Sequence, residues 1–184
     1  MVAVMVALTA GLAGTVGMAR AAAAAPGCDT RWGSPAKDGS TPNPNPASPL
    51  VATRTGRHAC FDRLVFELGG GLPAGFHVQY SAEVGTEGEG RPLSSVTAGG
   101  ALLKVVLLEP SYDLDGNATY GHRVEDHVAD VRGYSTLRDV VFGGSFEGYS
   151  TFAVGVRARL PFRVFVLTGP GSHSRIVVDI AHRW

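Results

Sequence analysis

The sequence is short of several things that would mark a familiar chemistry. It has no charge excess: 16 basic residues balance 16 acidic ones over 184 residues. A nucleic-acid binder usually carries a basic face, so this balance argues against one. Lysine is almost absent, only Lys37 and Lys104 standing among the arginines; this reads as GC-rich coding bias and not as function. There is no G-x-S-x-G elbow, no phosphate-cradling P-loop and no dinucleotide fingerprint. Ser34-Pro35-Ala36-Lys37 spells S-x-x-K, but in a proline-rich stretch and without the S-D-N and K-T-G partners. His122 to His127 is one residue too long for H-x-x-E-H, so the segment reads as a solvated loop and not as a zinc site. Asp113 to Asn117 opens like a calcium loop, but Ala118 and Val124 stand where Gly and Glu belong, so it reads as a turn. No metal, cofactor or catalytic residue is assigned.

No segment carries a helical period of useful length. What is present is a series of short β-branched and aromatic runs between Gly and Pro. Val51–Thr55, Phe61–Leu68, Phe76–Tyr80, Leu102–Leu108, Leu137–Phe142, Tyr149–Val156, Phe162–Leu167 and Ile176–Ile180 are the expected strands. Leu64, Phe66 and Leu68 share one face of the second, and Phe76, Val78 and Tyr80 one face of the third. Gly85–Pro92 reads as a long hairpin loop, Gly143–Gly148 as a separator, and Glu109–Asp130 as the least structured insertion. The expected fold is all-β, a sandwich of mostly antiparallel short strands.

Residues 1–25 are apolar and small, ending in a run of alanines that offers A-x-A cleavage choices. They read as a secretory signal peptide, with no membrane span left after cleavage. A start upstream of Met1 would supply the missing basic n-region. Ala25-Pro26-Gly27 before Cys28 fits a lipoprotein signal poorly. Residues 26–50 are crowded with Pro, Gly, Ser and Asn and read as an extended, poorly ordered arm. Trp32 stands out there, as a side chain expected to dock on the parent domain. The only cysteines are Cys28 and Cys60. An exported chain with an even count is expected to pair them, stapling the arm to the domain at 51–184. In the chain-entropy model such a staple contributes about 3 to 4 kcal/mol.

Two runs echo each other. Arg63-Leu64-Val65-Phe66-Glu67-Leu68 and Arg175-Ile176-Val177-Val178-Asp179-Ile180 share the pattern Arg, aliphatic, Val, apolar, acid, aliphatic. Chance is one reading; equivalent strands in two facing sheets is the other. The polar residues inside strands, Arg63, Glu67, Arg163, Arg175 and Asp179, form either cross-strand ion pairs on a wetted face or a binding face with Tyr80 or Phe146 nearby. Arginine forks suit carboxylates, aromatic faces suit sugar rings, and peptidoglycan has both.

FDRLVFEL, FHVQY, FEGYSTFAVGV, PFRVFVL and SRIVVDIAH, in that order over Val51–His182, resemble the AMIN-like domain of secreted actinobacterial proteins and lipoproteins. Phe162, Arg163, Val164, Phe165, Leu167, Pro170, Arg175, Val177, Val178 and Asp179 also fit the more distant AMIN signature of cell-wall amidases and secretins; the spacer Gly171–Ser174 is longer than that signature has. The resemblance implies a β-sandwich, an extracytoplasmic location and a non-catalytic role through peptidoglycan or another cell-wall polymer. Arg63, Tyr80, Phe146, Arg163, Arg175 and Asp179 are the candidate ligand-binding residues. The alternative is a protein-interaction module or inhibitor that offers a sheet edge to an envelope protein; a hydrolase with a noncontiguous site is a distant third.

Overall fold

The computed structural model describes residues 27–41 and 48–184; the signal-peptide assignment lies outside them. Nine strands run in chain order: β1 Lys37–Ser40, β2 Leu50–Arg57, β3 Phe61–Leu68, β4 Gly75–Ser81, β5 Ala101–Leu107, β6 Leu137–Phe146, β7 Tyr149–Val156, β8 Phe162–Thr168 and β9 Ser174–Ala181. They form two antiparallel sheets, β1-β4-β5-β7-β6 and β2-β3-β9-β8. No helix occurs among the described residues. The all-β sandwich expected from the short alternating runs is the fold found.

The strand period decides what is inside. Leu64, Phe66 and Leu68 from β3 and Ile176, Val178 and Ile180 from β9 face inward, and all are fully buried. They meet Phe152, Val154, Leu103 and Val105 of the other sheet in one continuous core. Aromatic rings bridge the layers: Phe66 lies 4.7 Å from Phe152, and Tyr80 meets Phe162 edge-on at 5.6 Å. Such geometry adds to the area the rings remove from water.

Three local expectations differ from the structure. The arm is not without order, since Lys37–Ser40 pairs with β4 as a short edge strand. Its composition reads as a poorly ordered arm, yet Gly39 is needed for packing: a Cβ there would come within 2.5 Å of the Phe76 ring. Likewise β6 runs on through the expected separator to Phe146, with a register shift between Phe142 and Gly144. At Gly143 an added Cβ would meet Leu93 and the Thr151 carbonyl at 3.1 Å, so the glycine marks a close approach within a strand. The insertion after Glu109 lacks named strands but is packed. Tyr120 is buried and shares a 2.8 Å hydrogen bond with Thr53, and His127 bridges to Val141.

The two echoing runs are β3 and β9. They are not equivalents in facing sheets but antiparallel neighbours in one sheet. Reversal of direction sets each run's arginine against the other's acid: Arg63 opposite Asp179, and Glu67 opposite Arg175. A shared pattern thereby becomes a complementary one.

The longer spacer between β8 and β9 turns through a cis Gly169–Pro170 bond, with Gly169 and Gly171 at positive φ. The Gly169 amide donates to the His173 carbonyl at 2.7 Å and closes the connection.

One buried acid makes stability depend on pH. Glu109 accepts a hydrogen bond from the Ala74 amide, and burial pushes its pKa from 4.5 up to about 7. The unfolded chain gives up this proton near pH 4.5 while the folded chain holds it to about pH 7. Stability therefore falls as pH rises through that window and is level above it. Glu109→Gln keeps an acceptor for Ala74 and removes the charge. It is expected to gain about 1–3 kcal/mol over the native protein at pH 8 and almost nothing at pH 4. Urea unfolding at the two pH values measures this; an equal difference at both would contradict it.

Candidate functional site

The outer face of the four-stranded sheet gathers most of the strand-embedded charge. Ladder register arranges it in rows across β2, β3, β9 and β8. One row reads Gly56, Arg63, Asp179, Arg163; the next Arg54, Val65, Val177, Phe165; the third Ala52, Glu67, Arg175, Leu167. The first and third rows are four residues apart, about 13 Å at the usual strand rise.

The first row is a shared carboxylate. Arg63 donates through Nε and Nη2 to the two oxygens of Asp179, at 2.6 and 2.9 Å. Arg163 donates to Asp179 Oδ2 through Nε at 2.9 Å, and its Nη2 lies 2.8 Å from the same oxygen. Asp179 is fully buried even though it points away from the core, while the side chains of Arg63 and Arg163 keep 24% and 42% exposure. Hydrogen bonding to Asp179 holds the Arg63 guanidinium above its ordinary pKa against the cost of desolvation. Two guanidiniums share one carboxylate, so one positive charge is left uncompensated, on the more exposed Arg163.

Aromatic rings frame this row. The Arg163 guanidinium lies 4.4 Å from the Trp32 ring, 5.5 Å from Phe61 and 5.3 Å from Phe165. Arg63 lies 5.3 Å from Phe61 and 5.5 Å from Phe165. His58 stacks on Phe61 at 4.3 Å, and Trp32 meets Phe61 edge-on at 5.7 Å. Trp32 is in place because Cys28 is bonded to Cys60, one residue before β3, with their Cα atoms 5.4 Å apart. The Gly33 carbonyl then accepts the Phe162 amide at 3.0 Å, and Arg159 donates to Ser34. The expected staple thus seats the arm, and its tryptophan, on the charged row.

The third row is less complete. Glu67 turns to Arg54 at 2.8 Å, away from the Arg175 opposite it. Arg175 makes no ion pair among the described residues, and its Nε is covered without a hydrogen-bond partner. Arg54, Arg63, Arg163 and Arg175 against Glu67 and Asp179 give this face two positive charges in excess. The chain as a whole has none.

Of the six candidate residues, Arg63, Arg163, Arg175 and Asp179 therefore share one face. Tyr80 and Phe146 do not lie beside them; both belong to the five-stranded sheet. Tyr80 points inward as its alternation requires. Its hydroxyl donates to the Leu160 carbonyl and accepts the Leu160 amide, both at 2.9 Å, and burial raises its pKa. Phe146 is exposed at the β6–β7 turn, opposite Tyr149.

Sequence reasoning did not single out the buried acids. Asp62 faces inward, accepts the amides of Thr136 and Leu137 at 2.5 and 3.0 Å, and meets His182 Nε2 at 2.9 Å. Asp139 accepts the Ala98 amide at 2.9 Å and pairs with His127 at 2.7 Å. Asp62 could have been found from the β3 alternation, which puts it on the same face as Leu64 and Phe66. Asp139 gave no such signal. His127 and Asp139 border an open cleft of about 550 Å³ whose lining holds no serine, threonine or cysteine. Another open cleft, of about 490 Å³, lies where Tyr80 and Arg159 meet Ser94, Thr97 and Gly99. Among the described residues no three metal-binding side chains cluster, and no helix is long and apolar enough to cross a membrane.

A family model described as the AMIN-like domain matches residues 48–182. Comparison with curated proteins and with solved structures returns no match. The matched span takes in both sheets except β1, and so holds all six charged residues of the face.

The two ion pairs should differ in weight. Asp179→Ala leaves two guanidiniums facing each other over an apolar pocket. It is expected to cost about 2–4 kcal/mol, less than a fully buried pair because both arginines touch solvent. Glu67→Ala, which frees the exposed Arg54, is expected to cost less than about 1 kcal/mol. Urea unfolding of both variants decides; equal losses would mean that Asp179 is no more than a surface partner.

Proposed function

The chain belongs to the AMIN-like domain family, and on that premise we propose that it is a secreted, non-catalytic module that binds peptidoglycan across the outer face of its four-stranded sheet. The family points to a cell-wall-related binding module, and the Cys28–Cys60 disulfide to an oxidising, extracytoplasmic setting. The observation that carries the finer reading is the composition of the face. A neutral chain concentrates two surplus positive charges there, about 13 Å apart along the strands, with Phe165 between them. Peptidoglycan offers matching groups: stem-peptide carboxylates for the arginine forks and pyranose rings for the aromatic surface. Arg175, which no acid neutralises, is the first contact for a carboxylate. Phe165, in the row between the arginines, is the platform for a sugar ring.

Co-sedimentation with purified peptidoglycan tests this. The native protein should pellet at low salt and less so as ionic strength rises, because exposed charges are screened. Arg175→Ala and Phe165→Ala should each reduce the pelleted fraction severalfold without shifting the unfolding midpoint by more than a few degrees. A protein that stays in the supernatant at every salt concentration would overturn the assignment.

A further inference from the structure

A sandwich has edges as well as faces, and among the described residues three of the four here are short or flanked by other segments. β1 is only four residues long. β6 is capped by the segment before it: the Phe142 amide donates to Asp126, the Glu125 amide to Phe142, and the Val128 amide to Val140. β2 has its Leu50 amide taken by the Pro110 carbonyl and its Leu50 carbonyl by the Thr119 hydroxyl, and farther along Tyr120 and Tyr134 lie beside it, bonded to the side chains of Thr53 and Thr55. β8 is different.

In an antiparallel ladder, the amide and carbonyl of successive residues point alternately toward and away from the neighbouring strand. The Pro161 carbonyl accepts the Ala181 amide of β9, so the odd-numbered residues turn toward β9. The Phe162 amide points away and is taken by Gly33. The amides and carbonyls of Val164 and Val166 also point away, and no described residue hydrogen-bonds to them. Their side chains face the core yet remain only half-buried. The strand itself holds no proline or lysine, the usual protection of an exposed edge, and Lys37 reaches only its first residue, 5.1 Å from the Phe162 ring. Leu167 is exposed as well.

Charge says what fits there. The row Arg63, Asp179, Arg163 alternates plus, minus, plus across three strands and ends at the open edge on an arginine with no carboxylate of its own. A fourth strand that continued the alternation would bring an acid. We propose that β8 accepts an extended segment of another protein, added antiparallel to the sheet. An Asp or Glu of that segment lies beside Arg163, and apolar residues lie beside Val164, Phe165 and Val166. Two backbone-paired residues supply affinity, and the acid fixes register. A second copy of this chain fits less well. Pairing β8 with itself about Phe165 sets Arg163 against Leu167 and leaves the surplus charge where it was.

This inference is independent of wall binding, which uses side chains of the face and not the edge backbone. The probe is a synthetic peptide, Ser-Thr-Val-Phe-Val-Glu-Ser-amide, with a fluorescent dye on its N-terminal amine, titrated with the full chain by fluorescence anisotropy. Replacing its Glu by Lys should weaken binding at least tenfold, and N-methylating its two valines should abolish it. Val166→Pro removes an amide that bonds nothing among the described residues and is tolerated at an edge. It should lose the peptide yet still pellet with peptidoglycan. Should that variant fail to fold, the methylated peptide on the native protein still decides. Equal binding of the Glu and Lys peptides, undiminished binding of the methylated one, or no binding of the Glu peptide at all would overturn the proposal. So would a concentration-dependent dimer that Val166→Pro dissolves, since the edge would then belong to a second copy.

Discussion

A carboxylate that is buried on the wrong side of its sheet organises this molecule. Asp179 points out of the sandwich yet touches no water, because two arginines and a cage of rings close over it. Removing a charge from water costs several kcal/mol, and only close, well-aligned partners offset it. The two guanidiniums come from the strands on either side, so the charge is satisfied only when β3, β9 and β8 are in one register. A slip of one residue would turn the arginines into the core and the leucines out. Hydrophobic alternation already resists such a slip on the inner face, and the ion triad adds the same restraint on the outer one.

The triad also explains the arm. Residues 27–41 are rich in glycine and serine and have little apolar surface with which to hold themselves down. They are held from two ends. The disulfide fixes Cys28 beside the start of β3, and β1 fixes Lys37–Ser40 on the opposite sheet. Between them Trp32 lies on Arg163, whose weakly hydrated guanidinium accepts an aromatic face at little desolvation cost. Each part needs the others: the ring shields Asp179, Asp179 orients the arginine, and the arginine seats the ring.

Much of this was legible in the sequence because period and burial are local properties. Strand positions, the inward faces of β3 and β4, and the cysteine pairing all followed from residue types and spacing. What could not be read was anything that depends on which strand neighbours which. The repeated R-h-V-h-acid-h pattern was visible, but its meaning lay in direction: parallel neighbours would set arginine against arginine, while the antiparallel pair sets arginine against acid. Tyr80 was placed inward correctly, yet its hydroxyl partner, Leu160, comes from a distant loop. Phe146 could be seen to be near a turn but not on which sheet the turn lies. β1 escaped notice for another reason. A Lys-Asp-Gly-Ser strand has no propensity of its own and forms because Gly39 lets the Phe76 ring lie close.

A chain with no net charge can still present a strongly charged surface, provided its acids are spent inside. Asp62, Asp139 and Glu109 are buried on backbone amides, two of them with a histidine. Asp179 is consumed by the two arginines above it. Burial thus takes four carboxylates from the exposed surface, while the arginines, with longer stems, keep their charged heads near water. Positive charge is left where an apolar row and an open strand meet, on β8. The strand that completes the ion triad thereby also carries one of the two surplus charges and, among the described residues, a backbone edge without partners at Val164 and Val166. Both deficits lie on the same side of the same seven residues. A single extended, acidic and apolar segment would fill both.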